Sequence, residues 1–261
     1  MQIWKAHYKD DCHDTIIDLI NTEEEYKNDP LRFLLDGIKF QGTGLGDFRL
    51  ADATQYGESK KKFCILKVGG YKSGGKEVPY WYQLQKYFLD VEIPVKAIRK
   101  LDNMELQAVI HISFGYYEHD NENNQARMYC DDTLVFYDDE KVYDFTLYVD
   151  GKKYSSTKRT LYFEKALLDI CKQMADDFYL RCCFTCQYSD YSPYGCDDYG
   201  TMLCYRRHKE DYLKVNNKDE YFEYLEGKDF EMRQETYLCE EYELRNRCQG
   251  YRGYVAGGNC S

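Results

Sequence analysis

The sequence predicts an α+β protein with a β-rich antiparallel sheet or sandwich region, one amphipathic helix and a C-terminal zinc-stabilised module. Three observations lead to this prediction. Short apolar runs separated by turn residues fill the first part of the chain, one helical apolar stripe follows, and cysteines concentrate near the end. We therefore predict a β-rich region at residues 1–158, followed at residues 159–261 by the helix and a cysteine-rich zinc module. The two regions can pack as one domain.

Two Asp-Gly pairs mark the predicted hairpins of the first region, at residues 31–40 and 146–154. A two-residue hairpin needs positive φ at both central residues, and Asp-Gly tolerates this conformation. Further strands are predicted at residues 63–68, 87–93, 105–117 and 134–137, and Pro94 is expected to close the second of them.

The helix is predicted from an apolar stripe formed by Leu161, Phe163, Leu167, Ile170, Met174 and Phe178. Residues 155–157 and Thr160 offer hydroxyl oxygens for its N-cap. Asp176 and Asp177 would oppose the helix dipole at the C-terminal end, so we expect the helix to stop near Met174. Short strands are then expected at residues 178–181, 201–205 and 235–239.

The composition is that of a folded, acidic chain. Its 261 residues are 43% hydrophobic, and 35 basic against 46 acidic side chains give a net charge of −11. The basic excess of a nucleic-acid binder is missing. The 28 tyrosines are expected mainly on half-buried sheet surfaces. Residues 1–11 do not resemble a signal peptide, and no stretch approaches roughly 18 apolar residues, so we expect a cytoplasmic protein with reduced thiols.

Eight of the 12 cysteines lie within residues 182–261, and this clustering indicates a bound metal. Zinc needs four tetrahedral ligands, and the turn Cys183-x2-Cys186 places two thiolates on one side of an ion. Cys204 and Cys239 each end a predicted strand and can converge on the same ion. These four cysteines are therefore the predicted ligands of a structural zinc ion.

Other ligand sets and other uses of the cysteines stay open. Cys196, Cys248 and His208 are reserve ligands, whereas Cys182 is expected to point away from Cys183 and to be buried. An iron–sulfur cluster also takes four thiolates, so the spacing does not separate zinc from iron. Reduced packing thiols, disulfides and redox use are the remaining alternatives. With five histidines and no H-E-x-x-H pair, catalytic zinc is disfavoured.

The last third of the chain also carries a resemblance. Its segments are CFTCQYSDYSPYG at 183–195, LCYR at 203–206, ETYLC at 235–239 and GYRG at 250–253. They resemble an uncharacterised bacterial family, a domain of unknown function with a C-terminal C-x2-C…C…C cluster and a YSDYSPYG segment. The resemblance implies that Cys183, Cys186, Cys204 and Cys239 belong together. It implies no activity.

No catalytic or cofactor-binding constellation is found in the sequence. The glycine-rich run at residues 42–47 lacks the spacing, helix and lysine of a phosphate loop and predicts a turn or bulge. We therefore expect a non-enzymatic cytoplasmic protein that recognises another protein through an acidic, tyrosine-rich surface, and neither nucleic acid nor membrane. The alternative is a hydrolase or transferase with a site in the cleft between the two regions. A zinc-ribbon nucleic-acid binder comes third.

Overall fold

β-Strands dominate the part of the chain that the computed structural model describes, namely residues 1–23, 29–70, 72–73, 76–77, 79–118, 126–130, 133–137, 139–157, 160, 162–194 and 199–245. The strands are β1 (Gln2–Lys9), β2 (Asp14–Asn21), β3 (Leu31–Leu35), β4 (Ile38–Gly42), β5 (Arg49–Leu50), β6 (Ile65–Val68), β7 (Lys72–Ser73), β8 (Lys76–Glu77), β9 (Trp81–Leu84), β10 (Phe88–Arg99), β11 (Met104–Glu118), β12 (Ala126–Cys130), β13 (Thr133–Tyr137), β14 (Asp139–Val149), β15 (Lys152–Ser155), β16 (Phe178–Leu180), β17 (Ser189–Asp190), β18 (Met202–Cys204) and β19 (Glu231–Arg233). The helices are α1 (Tyr56–Ser59), α2 (Phe163–Gln173), α3 (Lys209–Tyr212) and α4 (Lys218–Leu225).

Twelve strands form one antiparallel sheet. Its order is β15-β14-β11-β10-β1-β2-β3-β4-β5-β9-β6, and β16 pairs with β10 on the same edge as β1. A small sheet has the order β17-β18-β19, and β12 with β13 and β7 with β8 form separate hairpins. The predicted β-rich antiparallel architecture is therefore confirmed.

Successive side chains of a strand point to opposite faces of the sheet. Apolar residues at alternate positions therefore give the large sheet one apolar face. In β10 the alternate residues Leu89, Val91, Ile93, Val95 and Ala97 are buried on this face, and Ile98 is buried on the other. Helix α2 covers part of this face. The ring of Phe163 lies with its centroid 4.7 Å from that of Phe145 and 5.6 Å from that of Tyr143. The larger core is thus closed by aromatic contacts between sheet and helix.

Both predicted Asp-Gly hairpins are confirmed. Asp36 and Gly37 turn β3 into β4 with φ values of 49° and 79°, and Asp150 and Gly151 turn β14 into β15 with 50° and 72°. These positive φ values are the conformation that the two residue types were expected to supply.

The prediction that Pro94 ends a strand was wrong, because β10 continues through it to Arg99. Pro94 is paired with Val109 of β11. On the opposite edge, β1 pairs with residues 88–91 and β16 with residues 97–99, so Pro94 lies between the two partners. A missing N–H is tolerated where the ladder is interrupted.

The predicted helix is confirmed as α2, and it ends at the C-cap Met174 as expected. The predicted N-cap was wrong. Tyr162 occupies that position without a side-chain hydrogen bond. Thr160 is instead paired with Tyr143 by two backbone hydrogen bonds of 2.8 and 3.1 Å, which hold it against the sheet two residues before the N-cap position.

The cysteine-rich part of the chain contains more helix than the one helix predicted. Helices α3 and α4 place Tyr212, Tyr221 and Leu225 in a second, smaller core with Tyr205. The side chain of Asn217 accepts a hydrogen bond from the backbone N–H of Glu220 and so caps α4. Helices of four and eight residues carry too few apolar positions for their period to be recognised in the sequence.

The strand predicted at residues 235–239 was also wrong. The strand in this part of the chain is β19, which pairs with β18, and residues 235 and 236 form a turn after it. Glu235 and Thr236 are buried in this turn. The apolar pattern that suggested a strand therefore reflects burial of an irregular segment.

Candidate metal centre

The Cys183-x2-Cys186 motif forms a tight turn directly after β16. Cys182 is extended, residues 183–185 make one 3₁₀ turn, and the chain is extended again at Cys186. Backbone hydrogen bonds run from the N–H of Thr185 to the carbonyl of Cys182 (3.1 Å) and from the N–H of Cys186 to that of Cys183 (3.0 Å). The spacing therefore produces the compact turn that it predicted.

Cys204 approaches this turn from the small sheet. It is the last residue of β18 and pairs with Ser189 of β17 and with Glu231 of β19. The hydroxyl of Ser189 donates to the carbonyl oxygen of Cys183, which ties the sheet to the turn. The prediction that Cys204 ends a strand is confirmed.

Cys239 reaches the same place without a strand. The segment before it is hydrogen-bonded to the cysteine turn, because the N–H of Cys183 donates to the carbonyl of Tyr237 (3.1 Å) and the N–H of Phe184 to that of Glu235 (3.0 Å). Three separate parts of the chain are thus joined around the turn.

The four predicted ligands lie close enough for their sulfurs to interact electrostatically. Burial raises the pKa of the Cys183 thiol well above its usual value, and the sulfurs of Cys204, Cys186, Cys182 and Cys239 raise it further. Burial also raises the pKa of Cys204 to about 11, with smaller contributions from Cys186 and Cys239. Each group disfavours a second negative charge beside it.

This neighbourhood is not a formed coordination sphere. Within the described ranges, no three His, Cys, Asp or Glu side chains lie close enough together to hold a metal ion. Cys182 belongs to the larger core at 1% exposure, so the expectation that it is buried is confirmed. Burial raises its pKa to about 12.

Positive charge lies next to the cysteines. The guanidinium of Arg206 contacts the sulfur of Cys239 at 3.9 Å and donates two hydrogen bonds of 2.6 and 2.9 Å to the carboxylate of Glu231. Arg181 donates to the carbonyl oxygen of Cys239 at 3.3 Å. Both cations could offset the negative charge of thiolates at this site.

Of the reserve ligands, His208 is the one that lies within the described residues, and it is engaged elsewhere. His208 is bonded through Nε2 to a carboxylate oxygen of Asp229 at 2.6 Å. Cys196 and Cys248 lie outside the described residues, so their role stays a prediction.

A buried polar network beside the cysteine turn was missed by the sequence analysis. The carboxyl group of Glu235 accepts hydrogen bonds from the N–H of Gly200 (2.6 Å) and the hydroxyl of Tyr191 (2.9 Å). Asp190 accepts one from the hydroxyl of Tyr212 at 2.8 Å. The tyrosines of the YSDYSPYG segment were the available signal, because a buried tyrosine usually finds a hydrogen-bond partner.

The glycine-rich run at residues 42–47 is a turn whose backbone N–H groups donate hydrogen bonds to an aspartate carboxylate of the same turn. The carboxylate of Asp47 accepts hydrogen bonds from the N–H groups of Thr43 (3.2 Å) and Gly44 (2.8 Å). In a phosphate loop such N–H groups would bind the ligand, but here they bind Asp47. The prediction of a turn is confirmed.

Comparison with known proteins identifies a family but no activity. Residues 2–189 match a family of unknown function, DUF6304. This match includes the Cys183-x2-Cys186 turn and ends before Cys204, whereas the segments that carry the resemblance lie between residues 183 and 253. No curated protein and no solved structure matches the chain. Among the described residues, no helix is long and apolar enough to cross a membrane. The chain belongs to DUF6304, a family of unknown function.

Proposed function

We propose that Cys183, Cys186, Cys204 and Cys239 bind one structural zinc ion, and that the protein is a non-enzymatic, cytoplasmic binding protein. One observation supports the metal site above all others. Thiols from a tight turn, from a strand end and from a distant turn segment are electrostatic neighbours around Cys183.

The chemistry of the ligands favours a structural ion. Four thiolates fill a tetrahedral zinc site and leave no position for water, which a catalytic zinc ion requires. Three of the four side chains are buried, at 2% exposure for Cys183, 5% for Cys186 and 8% for Cys204. Zinc bound to such a site contributes about 10–16 kcal/mol to folding, which would stabilise the small second core.

A binding role is favoured over a catalytic cleft by the contacts between the large sheet and the cysteine-rich part. The side-chain amides of Asn21 and Gln234 exchange hydrogen bonds of 2.7 and 3.2 Å there. Gly200 lies so close to the sheet that an added Cβ would be 2.8 Å from the carbonyl oxygen of Thr43. These contacts join the large sheet directly to the cysteine-rich part.

The proposed partner is another protein with a basic surface, because the chain carries a net charge of −11. The predicted recognition surface was expected to be rich in tyrosine, but many tyrosines are buried and cannot contribute to it. Several of the largest fully buried side chains are tyrosines, including Tyr8, Tyr87, Tyr143, Tyr191, Tyr199, Tyr205 and Tyr212. Acidic side chains, with a few exposed rings such as Tyr148 and Tyr194, remain for recognition.

Elemental analysis of the purified chain tests the metal site. We expect one zinc ion per chain in the native protein, and its loss together with folding of the cysteine-rich part in Cys183→Ser and Cys239→Ser. Cys12→Ser and Cys64→Ser are matched controls that should keep the metal. Stoichiometric iron would replace zinc in the proposal. A metal-free native chain, or equal metal loss in the controls, would refute it.

The binding role has a separate test. Affinity purification of the tagged chain at low and at high salt should recover a basic partner that dissociates as salt screens the attraction. Recovery of the chain alone at low salt would contradict a protein-binding role and would favour the enzymatic alternative.

A further inference from the structure

Helix α4 has one buried face and one exposed face. Tyr221 and Leu225 are its buried residues, and both belong to the smaller core. Residues three and four positions apart lie on the same face of a helix. Asp219 and Glu223 therefore share the exposed face, and Glu226 continues it at the C-cap. We call these three exposed carboxylates the acidic stripe.

The acidic stripe differs in its pairing from other carboxylates of the same region. Asp211 forms ion pairs with Lys214 (2.9 Å) and Lys228, and Asp229 forms one with Arg207 (2.9 Å). Within the described ranges, no ion pair or hydrogen bond joins the carboxylates of the stripe to another residue. Their negative charge is therefore available to a partner.

Helix stability does not explain the acidic stripe. Asp219 lies in the first turn, where negative charge complements the helix dipole. Glu223 lies in the last turn and Glu226 at the C-cap, where negative charge opposes the dipole. Asp219 and Glu223 also repel each other, because they are four residues apart. Residues that oppose a local stability rule are typical of functional surfaces.

Two aromatic rings border the acidic stripe. Tyr194 is 79% exposed, and its ring centroid lies 5.5 Å from that of Phe222, the neighbour of Glu223 on α4. The Nζ atom of Lys218 lies 5.4 Å from the centroid of the Tyr194 ring, so this ring already accepts a cation of its own chain. Tyrosine is enriched among the residues that contribute most to protein–protein binding.

We propose that the acidic stripe, together with Tyr194 and Phe222, binds an arginine-rich segment of another protein. This inference rests on the proposed binding function and names the surface that carries it. A guanidinium forms two parallel hydrogen bonds with a carboxylate and also stacks on aromatic rings. Arginine therefore matches both the carboxylates and the rings of this surface.

The length of the acidic stripe limits how many cations it takes. At 1.5 Å per residue, Asp219 and Glu226 are about 10 Å apart along the helix axis. Side chains on one side of an extended segment repeat about every 6.6–6.8 Å. Two arginines separated by one residue fit along the stripe, so an extended Arg-x-Arg segment is the expected ligand.

A fluorescein-labelled peptide of four Arg-Ser repeats is the probe, and its fluorescence anisotropy is measured with the full chain at low salt. The native chain should bind it saturably. Asp219→Asn/Glu223→Gln/Glu226→Gln should bind about tenfold more weakly, because each exposed ion pair contributes a factor of about two to three. Undiminished binding by this variant would overturn the proposal.

The matched control is Asp11→Asn/Glu92→Gln/Asp176→Asn. It removes three exposed carboxylates from other parts of the chain, so both triple variants have the same net charge. The control should bind the peptide within about twofold of the native chain, because salt screens distant charges.

Two outcomes would overturn the surface without refuting the binding function. Equal weakening of both triple variants would show that overall charge, not the acidic stripe, attracts the peptide. A native chain that does not bind the peptide would also overturn the surface. The binding function itself is decided separately, by recovery of a partner at low salt.

Tyr194→Ala tests the aromatic part of the surface. It should weaken binding of the peptide by about threefold, which is the contribution of a cation over an exposed ring. Tyr80→Ala is the control, because Tyr80 is 48% exposed and the Nζ atom of Lys67 lies 4.0 Å from its ring centroid, but it precedes β9 of the large sheet. Equal affinities of the two tyrosine variants would refute the role of Tyr194.

Discussion

Replacement of Glu235 by glutamine should change how the stability of the protein depends on pH. Glu235 is completely buried, and burial raises the pKa of its carboxyl from 4.5 to about 8, although hydrogen bonds from Gly200 and Tyr191 act in the opposite direction. The folded state therefore keeps a proton that the unfolded state has already released over this pH range. Stability from this group is complete below pH 4.5 and is lost as the pH rises towards 8.

The magnitude follows from the width of that range. At about 1.4 kcal/mol per pH unit, the interval from 4.5 to about 8 corresponds to roughly 5 kcal/mol. Of this amount, about 4 kcal/mol falls between about pH 5 and about pH 8.5. Glutamine has no proton to lose in this range. Its oxygen can accept from the N–H of Gly200, while its NH₂ group donates to the hydroxyl oxygen of Tyr191, which can rotate to accept.

Urea unfolding of the native chain and of Glu235→Gln at both pH values is the assay. The free energy of unfolding of the variant, minus that of the native chain, should increase by about 4 kcal/mol from the lower to the higher pH. Glu92→Gln, on the exposed face of β10, is the control for the chemical change from carboxyl to amide. If the difference for Glu235→Gln is independent of pH, the carboxyl is not protonated in the folded protein and the reasoning fails.

Two further substitutions probe the same part of the molecule. Gly200→Ala should lower the free energy of unfolding by about 1–3 kcal/mol more than the control Gly227→Ala. Both residues have positive φ, but only at Gly200 would an added Cβ lie 2.8 Å from a backbone oxygen. Equal losses of stability in urea unfolding would contradict this prediction. Tyr212→Phe removes the donor to the buried carboxylate of Asp190 and should cost about 1–3 kcal/mol, whereas Tyr148→Phe on the exposed sheet face should cost almost nothing. Thermal unfolding that fails to separate these two variants would show that the bond contributes no stability.

Predictions succeeded where neighbouring residues determine the conformation. Asp36-Gly37 makes a hairpin because both residues tolerate positive φ, whatever surrounds them. The apolar stripe of α2 is long enough for its period to be unambiguous. The turn between Cys183 and Cys186 follows from their spacing alone. By contrast, Pro94 was misjudged because its effect depends on which strands pair with β10 at that point.

The cysteine site illustrates the same division. Cys239 was predicted to lie beside the other cysteines because a strand was expected to end there. The structure instead has a turn at residues 235 and 236 and no strand at Cys239. Its position depends on backbone hydrogen bonds from Cys183 and Phe184, residues more than fifty positions earlier in the chain. No local pattern specifies such bonds, because any exposed carbonyl can accept them.

The sequence by itself determined the β-rich class, the hairpins, the long helix and the group of cysteines, because each of these depends on residue type, period or spacing over a few positions. Only the tertiary structure decided that Glu235 is buried with an unusual pKa and that Gly200 lies against the sheet. These features arise from contacts between segments far apart in the chain, where burial and the sum of nearby charges, not local propensity, determine the energy.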